Sequence, residues 1–177
     1  MRNYSLILLV LCNVLLFSCK DTDKQVLNHL VKTWLGKKIV FPEDCKTLLL
    51  GDTIKHPLNT TYNIVSYINS ADCLSCRLQL LEWLDFLQKA DSISPQQVSF
   101  CFFIHDKNIK HIKILLEADN FNYPVYIDST DTFNKLNQFP QQEGFQTFLL
   151  NKESEIVLIG NPNNSQKIRE LYLKTIR

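Results

Sequence analysis

From Tyr62 onward the chain alternates between two hydrophobic periods, and that alternation restricts the available folds more than any other feature. Apolar, β-branched runs read as strands over Tyr62 to Ile68, Val98 to Ile104 and Tyr123 to Ile127, with helix-period segments Leu74 to Lys89 and Asn108 to Ala118 between them. Strands separated by helices pair in parallel, and a parallel sheet is covered on both faces. Leu74, Leu78, Leu81, Leu84 and Leu87 are the expected buried stripe of the first helix, with Leu78, Leu81 and Leu84 facing the sheet. The rhythm then changes. Thr147 to Leu150 and Ile156 to Ile159 flank the polar turn Asn151-Lys152-Glu153-Ser154-Glu155, which predicts a hairpin and therefore a mixed sheet. Ser165 to Ile176 closes the chain as a helix with Ile168, Leu171, Tyr172 and Ile176 on one side. The expected fold class is α/β, a mixed central β-sheet flanked by helices, preceded by an N-terminal helix and strand extension.

That extension is read from two signals. Val26, Leu27, Leu30, Val31, Trp34 and Leu35 recur at helical spacing and stop at Gly36. The runs Lys38 to Phe41 and Thr47 to Leu50, separated by Pro42-Glu43-Asp44-Cys45, look like a hairpin or a strand extension. The first residues are of another kind: Leu6 to Phe17 is apolar apart from Asn13 and follows Arg2, too short a stretch for a membrane span and suited to a signal peptide. Leu16-Phe17-Ser18-Cys19 resembles the bacterial lipobox, which implies cleavage before Cys19 and a diacylglycerol anchor on it. The polar Lys20-Asp21-Thr22-Asp23 that follows resembles signals that carry some lipoproteins to the cell surface. The organisation expected is thus a signal peptide over 1–18, a tether and short helix over 19–36, and one domain over 37–177. With Arg2 removed the formal net charge falls from +1 to zero, so nothing points to nucleic acid.

Loss of Cys12 and lipidation of Cys19 leave Cys45, Cys73, Cys76 and Cys101 from the six cysteines. Cys73 and Cys76 stand in "SADCLSCR", between a strand pattern and a helix pattern. The first turn of a helix presents unpaired N–H groups and the positive end of the dipole, both of which favour thiolate over thiol. Cys73 is the candidate nucleophile and Cys76, one turn on, the resolving thiol. Asp72 is a natural N-cap but opposes ionisation of Cys73, and Arg77 acts against it, so the sign of the net shift stays open. A static disulfide or two inert thiols is the alternative; a metal is not expected, because no second C-x-x-C or H-x-x-x-H accompanies the pair. Cys101, among Phe100, Phe102 and Phe103, reads as core filler, and Cys45 as an unpaired loop thiol.

Taken together, "YINSADCLSCRLQLLEW" and "FQTFLLNKESEIVLIGNP" resemble the envelope thioredoxin-like lipoproteins of the TlpA and ResA group, over roughly Tyr62 to Arg177. The lead-in "TWLGKKIVFP" also resembles what precedes such domains. The resemblance implies the order β-α-β-α-β-β-α, no cofactor, thiols or disulfides of envelope proteins as partners, and thiol-disulfide exchange by Cys73 and Cys76. The alternative is a non-catalytic thioredoxin-fold lipoprotein that binds an envelope partner. Three departures from the family pattern stand out. Leu74-Ser75 replaces the usual Gly-Pro, and Asp72 the usual tryptophan. Gln146 precedes Thr147 where the family has a cis-proline, and since a non-proline cis bond costs about 3 kcal/mol the Phe145–Gln146 bond is expected trans. Tyr67 lies six residues before Cys73, where many relatives bury an aspartate, which leaves proton transfer to water or to a group such as Glu82. The peroxiredoxin pattern P-x-x-x-T-x-x-C is absent, and no histidine follows His111, which argues against peroxidase and copper-handling roles.

Overall fold

Seven strands among the described residues form one sheet: β1 Lys46–Leu49, β2 Asp52–Ile54, β3 Tyr62–Asn69, β4 Val98–His105, β5 Val125–Ile127, β6 Thr147–Leu150 and β7 Ile156–Ile159, in the spatial order β2-β1-β5-β4-β3-β6-β7. The computed structural model describes residues 24–43, 46–49, 52–54, 60–69, 80–95 and 97–177. β3, β4 and β5 are parallel, while β1, β2, β6 and β7 join antiparallel, so the sheet is mixed as expected. The helices are α1 over residues 24–34, α2 described over Leu80–Ile93, α3 Ile109–Ala118, α4 Thr132–Asn137 and α5 Gln166–Thr175. Residues 1–34 and 35–177 are separate compact units. In the first, α1 ends as its apolar spacing implied; in the second, Gly36 has a φ of 78°, a left-handed turn that glycine takes without strain. Among the described residues no helix is long and apolar enough to cross a membrane.

The central strands carry apolar residues on both faces because both faces are covered. Asn63 through Ile68 of β3 and Val98 through Ile104 of β4 are all buried. Neighbouring residues of a strand point to opposite faces. On one face Trp83 of α2 meets Phe102 edge-on at 5.0 Å, and α2 in turn packs on α5 through Phe86 and Tyr172 at 6.0 Å. On the other, Phe133 of α4 lies 4.1 Å from Phe103 and leads into a second aromatic layer with Phe139 and Tyr67. Asp128, at the end of β5, starts α4 by accepting the Phe133 N–H at 2.7 Å.

Three expectations change here. Leu81 does not face the sheet: it is 66 % exposed, and the buried face of α2 is Leu80, Trp83, Phe86, Leu87 and Ala90, with Leu84 partly buried. At about 100° per residue, leucines spaced three apart drift around the helix, so Leu81 lies about 120° from Leu87. Leu74 and Leu78 lie outside the described residues. Secondly, of the two readings of the lead-in, the strand extension holds and the hairpin of Lys38 to Phe41 with Thr47 to Leu50 does not. β1 pairs instead with β2 and with β5. The lead-in runs along the opposite edge, where Ile39 N–H donates to Ser154 O at 2.8 Å and Ile156 N–H to Lys37 O at 3.0 Å. Asn137 holds it there through Val40 N–H to Oδ1 at 2.9 Å and Nδ2 to Val40 O at 2.8 Å. Thirdly, α4 and β2 have no counterpart in the sequence reading, because runs of six and three residues are too short to show a period.

Tyr172 supplies a test of the core. Its hydroxyl is buried without a hydrogen-bond partner, and burial pushes its ionisation far above the usual phenol range. Tyr172→Phe keeps the ring contact and removes the unpaired group, so it is expected to stabilise the fold by about 1 kcal/mol in urea unfolding. A loss of stability of that size would mean that the hydroxyl has a partner.

Candidate functional site

The two sequence motifs, far apart in the chain, are bonded neighbours in the sheet. Ser66 of β3 and Thr147 of β6 share a hydroxyl hydrogen bond of 3.0 Å, and Tyr67 N–H donates to Gln146 O at 2.9 Å. Beside this junction opens a cavity of about 150 Å³, lined by Ser66, Tyr67, Trp83, Glu143, Gln146 and Thr147 together with Ile68, Gly144, Asn161 and Asn164. β3 runs toward the cavity, and the connection from Asn69 to Leu80 carries the C-x-x-C. Cys73 is four residues beyond Asn69 and Cys76 four before Leu80; both, with Asp72 and Arg77, lie outside the described residues, as do Cys19 and Cys45.

Gln146 directly precedes β6. The short 3₁₀ turn Glu143–Phe145 delivers Gln146, and no described peptide bond is cis, the Phe145–Gln146 bond included. The Gln146 side chain is buried, its Nε2 donating to Pro140 O at 2.7 Å. Thr147 opens β6 with 1 % exposure. Tyr67 is buried, stacked on Phe139 at 5.1 Å, and its hydroxyl donates to Asp131 Oδ1 at 2.6 Å. The Tyr67 phenol therefore reaches a carboxylate supplied by another loop. Asn134 Nδ2 donates to the other oxygen of Asp131 at 3.1 Å.

Glu82 is not gathered into this cavity. It lines a separate groove with Asp85, Asn163 and Arg169, on the outer side of α2. Cys101 behaves as core: it is fully buried, and desolvation pushes its thiol up to about 12, with the Ser99 hydroxyl offsetting only part of that. No cluster of three metal-ligating side chains occurs among the described residues. Sequence reasoning missed Asp131, Trp83, Glu143, Asn161 and Asn164 as neighbours of the junction. Only Asp131 carried a signal, as one of several polar residues before α4, and nothing in it indicated Tyr67.

The strand order, the crossovers and this junction define a thioredoxin-like fold. No protein-family model matches the chain, and no curated protein matches it. Among solved structures, StoA from Bacillus subtilis aligns at a TM-score of 0.50 and 19 % identity over 74 % of this chain and 99 % of that one. The thioredoxin domain of a thiol-disulfide oxidoreductase from Bacteroides vulgatus aligns at 0.57 and 16 %, over 81 % and 98 %. A mitochondrial 2-Cys peroxiredoxin from Plasmodium falciparum aligns at 0.57 and 13 %, over 80 % and 91 %. Identities this low establish the fold alone, and the same fold carries more than one thiol chemistry.

Proposed function

We propose that the chain is a thiol-disulfide oxidoreductase of the bacterial cell envelope, tethered by lipid at Cys19 and facing the periplasm or the cell surface. The observation that carries this reading is the bonded junction of β3 with Gln146-Thr147: the strand that leads toward the C-x-x-C in sequence and the segment at the family's cis-proline position meet at one cavity. In the reducing direction, Cys73 thiolate attacks a partner disulfide, forming a mixed disulfide and releasing one partner thiolate. Cys76 thiolate then attacks Cys73 Sγ, releasing the second. The partner gains two electrons and the chain closes Cys73–Cys76; the oxidising direction is the reverse, chosen by the relative potentials. At the junction, buried Tyr67 and half-buried Asp131 supply a phenol–carboxylate pair beside β3.

The test is a redox titration of the full chain, following Cys73 and Cys76 by alkylation and mass. A reversible dithiol-to-disulfide transition between roughly −120 and −300 mV, with reduction of insulin disulfides, is expected. A bond that stays closed well below that span marks a structural staple, and the reading as a non-catalytic binder replaces this one. For the tether, Cys19→Ala is expected to abolish acylation and membrane retention; an unmodified native N-terminus at another residue would overturn it.

A further inference from the structure

Residues 24–42 hold four lysines and no acidic residue, although the chain as a whole has nearly as many acids as bases, 18 against 19. Most of that stretch is α1, which takes no part in the exchange just described. At about 100° per residue, Val26, Leu27, Leu30, Val31 and Trp34 fall within an arc of about 140°. Lys32 and His29 lie on the other side. Lys24 stands on the border, where a lysine stem follows apolar surface while its ammonium stays in water. The apolar arc is covered at one end only. Trp34 is 7 % exposed, whereas Val26 and Leu27, in the first turn, are 52 % and 41 % exposed. Lys24, His29 and Lys32 are exposed as well.

What covers the open end follows from the length of chain before it and from charge. Lys24 lies five residues beyond Cys19, and five residues reach at most about 17 Å. An acyl group on Cys19 therefore keeps the first turn of α1 within about 17 Å of the bilayer. The helix spans residues 24–34, far short of the ~20 apolar residues needed to cross, so it lies on the surface. From Lys20 to Pro42 five lysines stand against two aspartates, a formal +3, and the surface that suits them is anionic. We propose that α1 lies in the headgroup region of an anionic bilayer, with Val26 and Leu27 inserted and Lys24 and Lys32 on lipid phosphates. A second copy of α1 would cover the aliphatic side chains but bring its own lysines with them. An anionic lipid surface supplies negative charge and apolar depth together. The inference rests on the tether at Cys19 for where the helix is held; binding of α1 to lipid needs no acyl chain.

The experiment therefore uses the processed chain, residues 19–177, with Cys19→Ala to remove the acylation site. It is cosedimented with vesicles of phosphatidylglycerol and phosphatidylcholine, or of phosphatidylcholine alone. Half-saturation at about millimolar lipid is expected with the anionic vesicles at low salt, and much weaker binding to the neutral ones or at high salt. Lys24→Gln with Lys32→Gln is expected to weaken binding roughly fivefold for each lysine, and Val26→Ser with Leu27→Ser roughly tenfold. The melting temperature of each double variant shows that the fold is intact. No preference for anionic vesicles, or equal binding by the folded variants, would overturn the proposal. So would a dimer that Val26→Ser with Leu27→Ser dissociates while the parent chain binds no vesicle, which would give the face to a second copy. If the unacylated chain binds but the native protein is unmodified at Cys19, the lipid-binding helix stands and the tether reading falls. An acylated native protein whose Cys19→Ala form binds no vesicle keeps the tether and overturns the helix proposal.

Discussion

Cys73→Ser is expected to reduce insulin-disulfide exchange to the uncatalysed background, a fall of several orders of magnitude, whereas Cys76→Ser is expected to accumulate a mixed disulfide through Cys73. The asymmetry follows from the two steps. The first requires a thiolate, and a serine hydroxyl is not ionised at neutral pH and is a far poorer nucleophile toward sulfur. The second requires only that some thiol resolve the intermediate, so its loss stops the cycle after the first bond has formed. Mass spectrometry of the partner-linked species reads the difference directly. Equal behaviour of the two variants would mean that neither cysteine has a fixed role. Asp72→Asn then measures the local field: acceleration of Cys73 alkylation shows that the carboxylate holds the thiol up, and no change shows that it does not.

Trp83→Ala is expected to destabilise the fold by roughly 3–5 kcal/mol, the range for truncating a buried aromatic residue, whereas Leu81→Ala is expected to change stability by no more than about 0.5 kcal/mol. The two residues are two apart on α2 and oppositely placed. Trp83 is 1 % exposed, meets Phe102 and Phe86 edge-on, and forms part of the cavity wall beside Thr147. Leu81 is 66 % exposed. Urea unfolding of the pair distinguishes this assignment from the leucine stripe that the bare sequence suggests. A cost above 2 kcal/mol at Leu81 would restore the stripe. Because Trp83 both supports the sheet and walls the cavity, a folded Trp83→Phe is the better variant for asking whether the cavity shape affects exchange.

How much was legible depended on the range of the interactions. The strands from Tyr62 onward, the hairpin of β6 and β7, and the closing helix are long or strongly patterned, and their period alone determined them. The mixed order of the sheet followed, as did the burial of Cys101 within an aromatic run. The α2 stripe was misread because one helix offers two apolar rows, Leu81–Leu84–Leu87 and Leu80–Trp83–Leu87, and only the sheet beneath decides which is buried. The lead-in residues 36–40 and β1 look like a pair in sequence, yet they lie on opposite edges of the sheet.

The amino-acid order by itself determined the class of fold, because the periods of its strands and helices are carried by neighbouring residues and fixed spacings. Tertiary structure alone decided that Tyr67 reaches Asp131 across 64 positions, that Ser66 bonds Thr147 across 81, and that Asn163 is sealed without a partner. These are contacts between loops and strands whose separation in the chain is set by the path of the backbone, and a hydrogen bond leaves no periodic trace in either of the segments that make it.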